Sequence, residues 1–488
     1  MVKKYQHVIW LGLLGVLTLV GLALRAWGID SISLDVDEAI TLSAAQGLLA
    51  VGQPVIQASG LYYGRDILGT LTTAASVGVF GSGEWAARLP MVVFGTATIP
   101  LTYILARQLK LSQLWAFLAA AGITFSEWGI YYAHSARMYQ EQQFFVLLTA
   151  MAAVWTVKHW SWLRVLGTSV LGLLAVLAHR SAVILLPILL GLFVWNRRKE
   201  LRTWWSTRGH RLRVWAGLAT VVVLLLVAQW QWEVVSGVWQ YLVGTDRNPF
   251  ANMQLRLVPF RHLLKKYPVW LVGMVLAWVW VKGRSGLQVI IGLTWGVLIS
   301  VDLLIYPNEP NYRVRYFYDI LPLFFILGAY SFQQFWSWFD LKRTRVWAKA
   351  VLLILLIAIL MVPGSTLQPQ TVYADQPEWN RVAGLRADVV IAHPTAPAHY
   401  YLGHVDYWLV SHKGEIRTYS ENNQDIYAGA AILLDPQELK SILTTQHGVV
   451  VLETNRLKFI SKDLRQTLKE FAKKDQELST ELLQVWKF

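Results

Sequence analysis

Apolar runs of roughly 20 residues, the length that crosses a bilayer's hydrocarbon, recur between residues 8 and 362 of this chain. Short loops rich in arginine and lysine part them. A run of this kind must satisfy its own backbone hydrogen bonds in lipid, so each one becomes a helix. Hydrophobic residues make up 55% of the 488, and the mean hydropathy is +0.40. That balance excludes an ordinary soluble domain. The first run, 8–27, follows Lys3 and Lys4 and lacks a small-x-small cleavage site, so it reads as a retained helix rather than a removed leader.

The net charge of +14 does not point to nucleic acid, because the basic residues gather in loops between the runs. That is the positive-inside pattern of a membrane protein. With no cysteine, the chain has neither a disulfide nor thiolate chemistry. Lys3 and Lys4 put the N-terminus in the cytoplasm, and the loop from Arg197 to Arg213 is the strongest cytoplasmic mark. Spans are expected at 8–27, 90–106, 111–128, 144–157, 165–178, 183–195, 214–230, 269–281, 287–305, 317–338 and 346–362, about eleven in all. The threonine-bearing stretch 67–80 reads as a helix lying on the outer surface. One conflict remains. The expected outer loop 231–267 carries Arg247, Arg256, Arg261, Lys265 and Lys266, so either the topology differs there or these cations meet something anionic.

After residue 363 the composition shifts. Strand-length apolar runs at 389–392, 430–434 and 449–452 alternate with helical stretches at 436–446 and 462–474. The expected organisation is a membrane domain, 1–362, whose outer loop spans 29–87, followed by an outward-facing α/β domain, 363–488.

This topology collects polar residues on the outer face. Asp35, Asp37 and Glu38 follow the first span. Carboxylates at a membrane surface are held in a wet cavity or given a chemical task; the plainer alternative is that Asp35 or Asp37 caps the helix through 39–49. Arg65, Arg137, Arg180, Arg313 and Arg315 share that face with His134, His179, Tyr139 and Tyr316. Arginine beside tyrosine is a common phosphate clamp through forked hydrogen bonds, although a lone arginine there also snorkels. A carboxylate near such a clamp can serve as general base for an acceptor hydroxyl. Asp35 and Asp37, spaced Asp-x-Asp, would be the pair to hold Mg or Mn if a divalent cation were used.

The order of motifs resembles a known superfamily. An Asp37-Glu38-Ala39 loop follows one span; then come Gly83-Glu84-Trp85-Ala86-Ala87-Arg88-Leu89-Pro90, Ala136-Arg137-Met138-Tyr139 and Arg315-Tyr316 ahead of Leu321-Pro322. Over roughly residues 5–360 the chain resembles the GT-C membrane glycosyltransferases, in the branches of protein O-mannosyltransferases, aminoarabinose transferases and RgtA-like enzymes. The resemblance implies an inverting transfer of a sugar from a polyprenyl-phosphate donor to a lipid, glycan or protein acceptor outside the inner membrane. It implies Asp37 as base or acceptor-orienting group with Glu38 beside it. Arg65 is the positional match for a phosphate-contacting base, although Gly64-Arg65-Asp66-Ile67 replaces the usual Lys-Pro-Pro. Glu141, one turn from Arg137, is the nearest carboxylate to the family's second aspartate. The expected phosphate contacts are Arg65, Arg137, Tyr139, His179 and Arg315; Asp35, His134, Glu141, Arg180, Arg313 and Tyr316 are expected in support. Related branches work without a metal, so no cofactor is expected. The alternative is a transporter or flippase for an anionic lipid, which would carry mid-membrane charges and often a repeated half; no repeat and no ATP-cradling loop is evident here.

Overall fold

A computed structural model describes residues 2–64, 66–207, 257–305, 314–338, 354, 358, 364–368 and 376–488. The expected span 214–230 lies outside the described residues, as does 346–362 apart from residues 354 and 358, together with Arg65, Arg247, Arg256 and Arg313. The helical body opens with α1 (Val2–Ala26), α2 (Val36–Val51), the hairpin β1 (Val55–Ile56) and β2 (Leu61–Tyr62), α3 (Ile67–Phe80) and α4 (Glu84–Gln108). It continues through α5 (Gln113–Phe125), α6 (Glu127–Ala133), α7 (Tyr139–Lys158), α8 (Trp162–Ala178), α9 (Leu185–Asn196) and α10 (Arg198–Thr207). Then come α11 (Val258–Lys266), α12 (Pro268–Leu276), α13 (Ser285–Ser300) and α14 (Leu321–Trp338).

Among the described residues, Gln6–Ala26, Glu84–Gln108 and Ser285–Leu303 are long and apolar enough to cross a bilayer. The apolar helices Ile67–Phe80, Gln113–Phe125, Trp162–Ala178, Arg180–Asn196 and Pro268–Trp280 are shorter. Helix α1 turns Leu14 and Leu17 inward and leaves Val8, Ile9, Leu13 and Val16 exposed, as a lipid-facing helix would. Its last turn buries Arg25, which donates to Ile123 O at 2.8 Å and Thr124 O at 3.2 Å, closing carbonyls at the end of α5. The expected single span 111–128 is broken there. Ser126 takes the N–H of Gly129 at 3.1 Å and starts α6, while Phe125 O accepts Thr366 N–H and Gly364 O accepts Glu127 N–H, both at 2.9 Å. Pairing with residues 364–366 thus replaces the helical bonds. In α3 the polar Thr70, Thr73 and Ser76 face the protein and Leu71, Val79 and Phe80 are exposed. Of the cations in the conflicting loop, Lys266 meets Glu127 at 2.5 Å.

The tail forms one sheet flanked by helices. Its strands are β3 (Val389–His393), β4 (Tyr407–Leu409), β5 (Ser420–Glu421), β6 (Gln424–Asp425), β7 (Ala431–Leu433), β8 (Gly448–Glu453), β9 (Lys473–Lys474) and β10 (Leu483–Lys487). They lie in the order β5-β6-β7-β4-β3-β8-β10-β9, with β7, β4, β3 and β8 mutually parallel. The helices are α15 (Thr395–Leu402), α16 (Lys413–Tyr419), α17 (Pro436–Thr445) and α18 (Lys462–Phe471). Side chains alternate faces along a strand. Ile391, Val450 and Leu452 therefore join Leu439, Ile442, Leu464 and Leu468 of α17 and α18 in one core. Val390, Ala392, Val449 and Val451 belong to a second core that also holds Leu34, Ala39, Ile40 and Leu42 of the membrane body. The sheet is buried on both sides, as parallel strands require, and its second face is closed by the outer loop.

Asp425 gives the tail a pH signature. It is 2% exposed and accepts the Ala428 N–H at 2.6 Å. Burial pushes its carboxyl from 3.8 up to about 6, against the opposing hydrogen bonds from Ala428, Thr395 and Tyr427. A raised folded pKa means the native state holds the proton longer than the unfolded chain, so this group's stabilisation is complete below about pH 4 and is lost as pH rises through about 6. The loss is on the order of 3 kcal/mol. Asp425→Asn is expected to flatten that dependence in thermal melts of the detergent-solubilised chain between about pH 4 and 7. An unaltered slope would show that other groups set it.

Candidate active site

The site is organised by the first turn of α2. Asp35 is its N-cap: the Asp35 carboxylate accepts Glu38 N–H at 2.7 Å, and Glu38 Oε2 accepts Asp35 N–H at 3.0 Å. This capping box satisfies two otherwise orphaned donors, and it fixes the rotation of the helix. Glu38 then points inward and is 1% exposed. Arg88 of α4 meets it with two bonds, Nε to Oε1 at 2.8 Å and Nη2 to Oε2 at 2.9 Å. Ala136 N–H adds a third at 2.6 Å. The remaining Arg88 donors go to the carbonyls of Ile29 and Ile32, each at 2.6 Å, and of Ser33 at 3.1 Å. Glu38, expected beside Asp37 at the site, has its oxygens committed to this frame. Burial, followed by the neighbouring Glu38 and Asp37, holds Asp35 above the usual carboxylate range.

Asp37 sits one residue earlier, rotated about 100° from Glu38 on the helix. Its side chain is 44% exposed and its Oδ2 lies 3.6 Å from Arg315 Nη1. Asp35 and Asp37 do not face a common point, since residues two apart on a helix diverge and Asp35 is turned to the Glu38 amide. As a shared cation pair they do not fit, and among the described residues no three His, Asp or Glu side chains cluster as metal ligands.

Around Asp37 stand most of the expected clamp residues. Arg137, between α6 and α7, donates from Nη1 to Thr41 Oγ1 at 2.7 Å, to Tyr63 OH at 3.0 Å and to Asp37 O at 3.3 Å. Its Nη2 is 3.9 Å from Asp66 Oδ2. Arg315 donates to Tyr316 OH at 3.0 Å, with its guanidinium 5.0 Å from that ring's centroid. Tyr139 opens α7, feels the charges of Arg137, Arg315, Asp37 and Asp66, and packs against His179 at 5.7 Å. His179 Nδ1 lies 2.6 Å from Ser181 Oγ and 3.3 Å from Ser181 N. Burial, opposed by Asp66 and reinforced by Arg137, Arg180 and Arg315, lowers His179 to about 4, so the ring is neutral near pH 7.

Of the supporting residues, His134 lies away from this cluster, and Glu141 and Arg180 lie at its border. His134 is 2% exposed and faces the last turn of α1 at Leu24 and Arg25. Glu141 is fully buried against Gly69 and Thr72 of α3. Arg180 is exposed beside His179. Asp66 is the residue that sequence reading did not single out. It precedes α3 with a left-handed φ of 53°, makes no capping bond, and faces Arg137. A non-glycine residue in that region is uncommon and often functional, but the angle has no signature in the sequence. Thr41 was likewise not singled out; its hydroxyl accepts from Arg137 and donates to Asp37 O, while Tyr63, one of the tyrosines expected on this face, accepts from Arg137 through its OH.

The fold is similar to that of ArnT from Cupriavidus metallidurans in the apo state, with a TM-score of 0.53 at 14% identity, covering 100% of this chain and 98% of that one. The same protein bound to undecaprenyl phosphate matches at 0.53 and 14%, over 99% and 98% of the two chains. The archaeal oligosaccharyltransferase AglB from Archaeoglobus fulgidus, in complex with an inhibitory peptide and a dolichol-phosphate, matches at 0.54 and 11% identity, over 98% of this chain and 74% of that one. No family model matches the chain, and no curated protein does. The chain therefore shares the fold of these ArnT and AglB structures, a helical body carrying a small α/β tail.

Proposed function

We infer that this protein transfers a sugar from a polyprenyl-phosphate donor to an acceptor hydroxyl at the outer face of the bacterial inner membrane. One observation carries the reading: the partly exposed Asp37 carboxylate stands 3.6 Å from Arg315, with Arg137 beside it. Among the described residues, the buried Nε atoms of Arg137 and Arg315 find no acceptor. Donors held in this way suit an anion. The fold neighbours crystallised with undecaprenyl phosphate and dolichol-phosphate agree with that chemistry.

In the proposed step, Asp37 takes the proton of the acceptor hydroxyl as its oxygen bonds to the anomeric carbon. The bond from that carbon to the phosphate oxygen breaks on the opposite face, which inverts the centre. The polyprenyl phosphate leaves with the bonding pair, and Arg137 and Arg315 stabilise the charge that grows on it. Neutral His179 and Tyr139 wall the pocket, and Asp66 orients Arg137. Glu38, with Arg88, positions Asp37. No metal enters this sequence, because two guanidiniums offset a single phosphate. The tail, outward with the C-terminus, shapes acceptor access, and the N-terminus is cytoplasmic.

The test is Arg315→Ala. Arg315 is tied to fewer neighbours than Arg137, so its loss leaves the frame intact. A charge-assisted contact contributes roughly 1.5–3 kcal/mol, so affinity for undecaprenyl phosphate should fall at least about tenfold by calorimetry in detergent. Unchanged affinity in a folded variant removes Arg315 from the phosphate site.

A further inference from the structure

A second cleft, of about 520 Å³, opens where the tail meets the outer loop, lined by Asp30, Glu84, Asn380, Ala383, Tyr400 and Tyr401. It is an open depression at the surface rather than an enclosed pocket. It does not contain Asp37. Glu84 is one turn before Arg88 on α4, so the cleft belongs to the side of α2 where Glu38 is held.

Its seam is firmly built. Tyr401 OH accepts Leu34 N–H at 2.7 Å and donates to Glu84 Oε1, Tyr400 OH donates to Ser82 O at 2.9 Å, and Asn380 N–H donates to Ser33 Oγ at 2.9 Å. The two tyrosine rings stand edge to face, 4.9 Å apart at 89°. Polar capacity remains unspent. The Asp30 carboxylate and the Asn380 side-chain amide make no hydrogen bond or ion pair with other described residues, and neither does Glu84 Oε2.

We propose that this cleft binds a neutral saccharide, a sugar unit of the acceptor remote from the hydroxyl that is glycosylated. Carboxylates accept vicinal hydroxyls, an amide both donates and accepts, and the half-buried Tyr400 ring, braced by the buried Tyr401, takes the apolar C–H face of a pyranose. No cation lines the cleft among the described residues, and its two carboxylates repel an anion. The ligand is therefore uncharged and polyhydroxylated, unlike the phosphate held at Arg137 and Arg315. The assignment to the acceptor rests on the transfer reading above. Because Tyr401 and Glu84 also hold Leu34, just ahead of the Asp35 cap, a sugar seated here presses on the segment that carries Asp37.

The experiment titrates the full chain in detergent with chitotetraose, mannotetraose, maltotetraose and galactotetraose, followed by calorimetry and saturation-transfer NMR. At least one is expected to bind. Asp30→Ala and Asn380→Ala, both at exposed positions, should each weaken it roughly three- to tenfold, and Ala383→Trp, which fills the cleft, should abolish binding. Tetragalacturonate, the anionic counterpart of galactotetraose, should bind more weakly than the best neutral probe. Absence of binding by all four up to about 10 mM, equal binding by the three variants, or preference for tetragalacturonate would each overturn the proposal. Undecaprenyl phosphate is titrated in parallel. Its failure to bind while a tetraose still does would overturn the transfer reading and leave the saccharide cleft standing; the reverse result would overturn the cleft alone.

Discussion

Asp37→Asn protein that is folded and inserted is expected to transfer sugar roughly 10²–10⁴-fold more slowly than the native chain, the range that a general base contributes. Asparagine keeps the size and the hydrogen-bonding reach of the side chain and removes only its basicity. The backbone carbonyl of Asp37, which accepts from Arg137 and from the Thr41 hydroxyl at 2.9 Å, is untouched by the change. Donor affinity should hold or tighten, because Arg315 loses a competing carboxylate 3.6 Å away. Two measurements separate the roles: single-turnover transfer from a labelled polyprenyl-phosphate sugar, and binding of undecaprenyl phosphate. A near-native transfer rate would remove Asp37 as the base. A parallel loss of donor binding would instead make it part of the phosphate site.

The second large effect is expected at Arg88. Removing one partner of a buried ion pair leaves an uncompensated charge and typically costs about 3–5 kcal/mol. Here Arg88→Ala would also strip donors from the carbonyls of Ile29, Ile32 and Ser33. Thermal unfolding in detergent should therefore drop by many degrees, and any surviving fold should transfer poorly because the turn that bears Asp37 has lost its frame. Arg88→Lys is the informative control. A lysine ammonium cannot span both Glu38 oxygens and three carbonyls at once, so it should rescue little. Native-like melting of Arg88→Lys would show that the charge alone, and not the fork, holds the loop. Glu38→Gln, which keeps shape but not charge, should resemble Arg88→Lys rather than the Asp37 variant: stability and transfer fall together instead of transfer alone.

These two outcomes differ although Asp37 and Glu38 are adjacent, and the sequence does not separate them. Both read as carboxylates beyond a membrane span. The capping alternative was also legible, in Asp35 three residues ahead of Glu38, but not which aspartate caps. Once Asp35 caps, the helical period sends Glu38 inward and Asp37 toward Arg315. The inward partner, Arg88, sits fifty residues on, in a stretch noticed for its resemblance rather than for its contacts. The structure brings Arg137, Tyr139, His179 and Arg315, expected on one face from the topology, together near Asp37 and Asp66. His134, expected by the same argument, faces the last turn of α1 instead, since membership of a face does not fix the direction of a side chain.

What the sequence determined by itself follows from rules that act over one element. Hydrocarbon demands long apolar helices, so the helical body was evident from run length. Buried parallel strands demand short continuous apolar runs, so β3, β7 and β8 were found within a residue or so, along with α17; the helix expected at 462–474 ends at Phe471, and Lys473–Lys474 form β9 instead. The Tyr407–Leu409 and Leu483–Lys487 strands were missed, because three residues, or a run interrupted by Gln484, carry too little pattern. The tertiary structure alone decided what depends on distant partners. It broke the run 111–128 at Ser126 by pairing it with residues 364–366, drew Asp66 to Arg137 through a left-handed turn, and closed the tail's second face on Leu34 and Ile40. Those choices rest on contacts between residues far apart in the chain, whose energies have no local period for a sequence to display.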